Sequence, residues 1–300
     1  MERLIRPQQM TAGITDQLIS CLCARYRFFH AVPIGRSVLG RPIRGIVFGG
    51  GKETVLMTAA FHGQEWMTAF ICLRLCEEIG ESIHNGTPLN GWNLRRAFGG
   101  RGVIWVPLVN PDGVEIALRG SATAQQYAEA VHAAGGDEWG RWQANARGVD
   151  LNHNFNAGFA KLQQSERENG ITGFSARQWG GPYPHSEPET MALVRLCERQ
   201  PFRHVVALHS QGEEIYWHYG NRTPSVSRLM ASVMAAASGY TVGQPTGLAS
   251  HGGFKDWFIE KTGKPGFTIE LGKGENPLPI EEFETVYEKA REMLIVSLLI

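Results

Sequence analysis

Two residue types able to hold a divalent cation stand three positions apart in Phe61-His62-Gly63-Gln64-Glu65. The apolar run before them, 54–60, reads as a buried strand, and the segment after them has the periodicity of an amphipathic helix. A histidine and a carboxylate at such a corner can point at one cation. Zinc takes nitrogen and carboxylate ligands in a tetrahedron, and a catalytic site keeps three protein ligands so that water has the fourth position. Loop and helix-cap chemistry would use the same residue types. His209 is the candidate third ligand, because Val205-Val206-Ala207-Leu208 again runs as a strand into polar residues, His209-Ser210-Gln211.

Such a site requires strands whose ends lie together. Candidate strands are 43–48, 54–60, 103–108, 204–208, 214–218 and 266–271, and candidate helices are 66–83, 123–134, 187–198, 225–238, 253–261 and 280–300. Their alternation predicts an α/β fold, a single α/β/α sandwich around a mixed, largely parallel sheet, with ligands gathering at the strand ends. One domain is expected over 1–300, with 1–40 as a helical segment packed on it. Segments 95–101 and 157–183 are rich in glycine and polar residues and read as surface loops, the second placed to rim a cleft.

Composition excludes some partners. Lys+Arg and Asp+Glu balance at 29 each, so no charge excess favours nucleic acid. No run reaches the ~18 apolar residues of a membrane span, and the N-terminus has no continuous apolar segment of the secretory kind. Five cysteines, Cys21, Cys23, Cys72, Cys76 and Cys197, are odd in number and argue for reduced thiols, hence a cytoplasmic location. Cys72 and Cys76 read as core packing on one helix.

Further motifs follow in order: Asn110-Pro111-Asp112-Gly113 after a strand, Gly148-Val149-Asp150-Leu151-Asn152-His153-Asn154-Phe155 after a tryptophan-rich loop, and Phe267-Thr268-Ile269-Glu270-Leu271. With His62, Glu65 and His209, that order resembles the zinc carboxypeptidase (carboxypeptidase A-like) metallopeptidases from about residue 40 onward. Within that family the chain is most similar to bacterial γ-D-glutamyl-diamino acid peptidases of murein peptides. The runs that carry this are Ala144-Asn145-Ala146-Arg147-Gly148, Ser186-Glu187-Pro188-Glu189-Thr190, the segment after His209 through Trp217, and Gly272-Lys273-Gly274-Glu275-Asn276-Pro277-Leu278-Pro279.

The resemblance implies one zinc per chain on His62, Glu65 and His209, with Glu270 as general base and Asp150 as the acceptor that fixes the His62 ring. Read by themselves, Glu270 could be a surface carboxylate at a strand terminus and Asp150 a turn residue. Asn152 matches a substrate-binding position, but the family's carboxylate-clamping arginine is replaced by His153, which has no guanidinium fork. Recognition of a free terminal carboxylate there should be weakened, leaving endopeptidase-like cleavage or a clamp from another residue. Gln143 stands where an oxyanion-stabilising arginine is common, so Arg141 or the metal must supply that charge. Leu248 replaces a mobile active-site tyrosine. Lys255 matches the pocket floor for the leaving-side residue and would favour an acidic group such as the second carboxylate of diaminopimelate; alternatively it is a solvated helix lysine.

The expected activity is hydrolysis of the γ-D-glutamyl-diaminopimelate amide in murein-derived peptides. Alternatives are an N-acyl amino acid deacylase of the aspartoacylase and succinylglutamate desuccinylase type, or a peptide-binding relative without catalysis. The partner is a small peptide, with neither nucleic acid nor membrane; the sequence does not disclose the oligomeric state.

Overall fold

The computed structural model describes residues 2–300. Eight strands build one sheet: β1 (His30–Arg36), β2 (Pro42–Gly49), β3 (Thr54–Ala59), β4 (Gly102–Val106), β5 (His204–His209), β6 (Glu214–Tyr216), β7 (Thr241–Gly243) and β8 (Gly266–Glu270). Their order across the sheet is β1-β2-β4-β3-β5-β8-β6-β7. The four central strands β4, β3, β5 and β8 run parallel, while β2 and β6 pair with them antiparallel.

The central strands are buried on both faces, which explains why their sequences are mostly apolar. Along β3, Val55, Met57 and Ala59 enter one core cluster and Leu56 the other; along β5, Val206 and Leu208 oppose Val205 and Ala207. This is the period of two inherent in a pleated strand. In chain order the helices are α1 (Ala12–Arg25), α2 (Met67–Asn85), α3 (Leu94–Ala97), α4 (Pro111–Arg119), α5 (Ala128–Gly135), α6 (Phe159–Glu168), α7 (Pro188–Arg199), α8 (Val226–Ser238), α9 (Phe254–Thr262) and α10 (Phe283–Leu299). Residues of α1, α2, α8 and α10 fill the first cluster, and those of α7 and α9 the second. The result is the expected single α/β/α sandwich with a mixed sheet.

Several local expectations are corrected. Residues 2–40 hold α1 but also β1, an edge strand that contains Pro33, where a missing N–H is tolerated. The segment 123–134 is broken: a 3-10 segment, Ser121–Tyr127, precedes α5 and is itself kinked at Gln125, φ +54°. The supposed loop 157–183 contains α6, whose buried residues are only Phe159, Leu162 and Glu166, too thin a stripe to show as a period. Segment 95–101 overlaps the one-turn helix α3. All five cysteines are free, and Cys72 and Cys76 are buried in α2. Among the described residues no helix is long and apolar enough to cross a membrane.

Candidate metal centre and catalytic cleft

Parallel neighbours end at one edge, and the register brings the candidate residues there. Ala59 of β3 lies beside Leu208 of β5, and His209 lies beside Glu270 of β8. Past β3 the chain turns through Ala60 and His62 caps a single 3-10 turn, Gly63–Glu65, before α2 begins. That turn is seated on neighbouring backbone: Gly63 N–H donates to the Gln143 carbonyl at 3.0 Å and Gln64 N–H to that of Trp142 at 2.8 Å. A methyl group on Gly63 would overlap the Gly113 carbonyl and lie 2.8 Å from the Trp142 oxygen, so the turn requires glycine.

His62, Glu65 and His209 converge, with one ligand atom from each within 4.8 Å of the others. His62 Nδ1 is 2.8 Å from Glu65 Oε1, and His209 Nδ1 is 3.1 Å from Glu65 Oε2. Both imidazoles therefore turn Nδ1 inward. The outer nitrogen of His62, Nε2, meets Asp150 Oδ1 at 3.1 Å, the carboxylate partner that metal-binding histidines commonly have. Asp150 is itself held, accepting from the Asn152 N–H at 3.0 Å and the Gln178 N–H at 3.2 Å. The His209 ring stacks on Phe61, with centroids 5.3 Å apart.

The electrostatics fit a cation. Burial disfavours charge on His62, yet Glu65 and Asp150 raise its pKa well above the ordinary value. Burial likewise opposes ionisation of Glu65, but His62 and His209 hold it down at about 2. Asp150 is kept well below the carboxylate range against burial by His62 and His153. Two buried carboxylates around inward-facing imidazoles stabilise positive charge, which a zinc ion would supply. Glu270, half-buried beside them, is pushed well up by burial and by the Glu65 carboxylate. A cation held at the three ligands would oppose that rise and favour the ionised form a base needs.

With this geometry in view, comparison with known proteins identifies the lineage. A family model described as zinc carboxypeptidase matches residues 16–293. The chain belongs to the zinc carboxypeptidase family. A "Gamma-D-glutamyl-L-diamino acid endopeptidase 1" from Lysinibacillus sphaericus is 35% identical over 282 residues, covering 93% of this chain and 70% of that one. Carboxypeptidase A from Helicoverpa armigera shares the fold at TM-score 0.74 and 21% identity, over 97% of this chain and 73% of that one. A murein-tripeptide amidase from Escherichia coli O157 shares it at TM-score 0.55 and 22% identity, over 89% and 91%. The chain is accordingly a zinc metallopeptidase of a family that uses one zinc.

The remaining residues of this family member fall into two groups. Asn152 uses its side-chain oxygen to accept from the Phe254 N–H at 3.0 Å, which leaves its amide nitrogen for a ligand. Gln143 is half-buried beside the Gly63 turn, and its side-chain amide makes no hydrogen bond among the described residues. Arg141, by contrast, is exposed and paired with Glu275 at 2.8 Å. His153 is buried, its Nδ1 taken by the Gln178 carbonyl at 2.9 Å. Lys255 is 3% exposed, and its ammonium is paired with Asp256 and bonded to the His218 carbonyl at 3.0 Å. It is neither solvated nor an unspent positive charge. Leu248 lies in a short turn, Gly247–Ser250.

Asn276 was not legible as a site residue. Its amide donates to the Ser210 carbonyl at 2.5 Å and approaches Glu65 Oε1 at 3.5 Å, while Ser210 Oγ donates to Asn276 Oδ1 at 2.8 Å. It ties the loop after β8 to the residue following His209. Its run, Gly272 to Pro279, carried part of the family resemblance, but nothing in it assigned Asn276 a place at the site. The Asn-Pro-Asp-Gly motif is structural: Asn110 caps α4 through the Gly113 N–H at 2.8 Å and donates to Phe61 O at 2.9 Å, and Asp112 accepts from Ser37 Oγ at 2.8 Å.

Behind Asp150, the loop from Asn145 is anchored on two α7-proximal carboxylates, Glu187 at 2.7 Å and Glu189 at 3.4 Å from the Asn145 amide. Burial pushes Glu189 up to about 8, although the Val38 N–H works against it. A carboxyl whose folded pKa is raised stabilises the fold fully below the unfolded value, and that contribution is lost as pH rises through about 8. Stability should therefore fall from pH 5 to pH 8 by on the order of 3 kcal/mol from this group. Glu189→Gln, which stays neutral, is expected to flatten that slope in urea unfolding curves taken across the range; an unchanged slope would assign it elsewhere.

Proposed function

We propose that this zinc peptidase cleaves the γ-D-glutamyl-diaminopimelate amide of murein-derived peptides, a step suited to recycling of wall peptides. The observation that carries the reading is the 35% identity, over 93% of this chain, to a protein named for γ-D-glutamyl-L-diamino acid endopeptidase activity. His62, Glu65 and His209 would hold the zinc, which when bound activates a water and polarises the scissile carbonyl. Glu270 takes the proton of that water and passes it to the leaving amine. Asp150 keeps the His62 ring oriented. Gln143 offers a neutral hydrogen bond to the developing oxyanion, and the Asn152 amide meets the substrate. Lys255 lies at the floor of the leaving-side pocket. Free thiols throughout support a cytoplasmic, reducing setting.

The deciding assay offers L-Ala-γ-D-Glu-meso-diaminopimelate and its α-linked isomer to the zinc-replete protein, with products identified by mass. Release of diaminopimelate from the γ-linked peptide alone is the expected result. Preferential hydrolysis of the α-linked isomer would overturn the assignment.

A further inference from the structure

We infer that Glu214 selects the leaving amino acid by taking the ammonium at the end of its side chain. The inference rests on the diamino acid peptidase reading above and names the group that recognises the amine. Strand alternation puts Phe267 and Ile269 of β8 into the first core cluster, so Gly266, Thr268 and Glu270 share the opposite face. β6 lies antiparallel to β8 with Glu214 opposite Glu270 and Tyr216 opposite Thr268. Ile215 between them belongs to the first cluster, so Glu214 and Tyr216 face the same side as Glu270. A methyl group on Gly266 would lie 3.2 Å from Lys255 Cγ, which places Lys255 on that face as well.

These residues stand at three levels on one face of β8 and β6, successive levels being two residues or about 7 Å apart. Glu270 and Glu214 are at the cleft, Thr268 and Tyr216 are in the middle, and Gly266 with Lys255 forms the floor. The amide nitrogen being released must lie near Glu270, which returns its proton. A side chain of three or four methylenes running along this face ends near the middle level, toward which the Glu214 carboxylate is drawn by the Tyr216 hydroxyl at 2.6 Å.

Charge decides what that end should carry. Lys255 is already neutralised by Asp256, and two of its three N–H donors are used, on Asp256 and on the His218 carbonyl. Glu214 makes no ion pair among the described residues; one oxygen accepts from Tyr216 Oη at 2.6 Å, and the other has only a 3.5 Å contact with Thr241 Oγ1. Its neighbour Glu213 shows the contrast, being held by Lys289 at 2.7 Å and Lys273 at 3.1 Å. The unspent charge on this face is thus negative, contrary to the expectation that Lys255 would make the site select an acid. A half-buried carboxylate next to the Glu270 carboxylate gains most from an organic ammonium. Lysine and diaminopimelate both end in one.

The test compares kcat/KM of the zinc-loaded wild type and Glu214→Gln on L-Ala-γ-D-Glu-X, with X as meso-diaminopimelate, L-lysine or L-norleucine, and on the α-linked counterparts. Wild type should prefer lysine to norleucine by about tenfold to hundredfold, the worth of a charge-assisted hydrogen bond. Glu214→Gln should reduce that ratio at least about tenfold, and Glu214→Asp should restore part of it. A wild-type ratio near unity, or a ratio that Glu214→Gln leaves unchanged, overturns the inference. If only α-linked peptides are cut, the γ-glutamyl reading fails, and the same ratio measured on them still decides the role of Glu214.

Discussion

Replacing Glu270 by glutamine is expected to lower kcat by about 10³-fold while zinc content stays at one per chain. The register sets this expectation, since Glu270 is the residue of β8 directly beside His209, and it makes no ion pair among the described residues. Glu187, by contrast, is neutralised by Arg147 at 3.0 Å. The amide preserves shape and hydrogen bonding but cannot accept a proton from water. Single-turnover kinetics on the γ-linked tripeptide, with metal measured on the same samples, provide the check. A loss smaller than about tenfold would show that another group takes the proton.

Stripping the metal with a chelator should abolish turnover, and one equivalent of zinc should restore it. The three ligands are 1–7% exposed and converge within 4.8 Å, so no neighbouring side chain can substitute for the ion's charge. Asp150→Asn should weaken zinc binding by about 10- to 100-fold, because the His62 ring loses the carboxylate that fixes its tautomer and raises its basicity. Competition against a chromophoric chelator measures this without reference to activity. Zinc should also raise the Tm of the wild type by mass action, and by less in the Asp150→Asn protein at equal free metal. Equal zinc affinity in the two proteins would leave Asp150 a turn residue only.

The central strands were legible because they are buried on both faces and are mostly apolar; β3, β5 and β8 were placed within a residue or two. The convergence of His62, Glu65 and His209 was legible for a related reason. Parallel strands in one sheet end at one edge, so donors just past two strand ends meet there. Edge strand β1, the three-residue β7 and the polar helix α6 were not, since each buries too little apolar surface to leave a period.

Side-chain partnership lay beyond the sequence altogether. Lys255 and Asp256 are adjacent in the chain, but only packing decides that their charges neutralise each other out of solvent. Arg141 stands two residues from Gln143, yet its pairing with Glu275 depends on a loop 134 positions away. Asn276 reaches Ser210 and Glu65 because β8 runs parallel beside β5, and Glu214 faces Glu270 because β6 runs antiparallel beside β8. Residue types and strand ends determined which chemistry was possible at this edge of the sheet. The pairing of strands and the burial of charges decided which side chains are free to do it, because those depend on contacts between segments far apart in the chain.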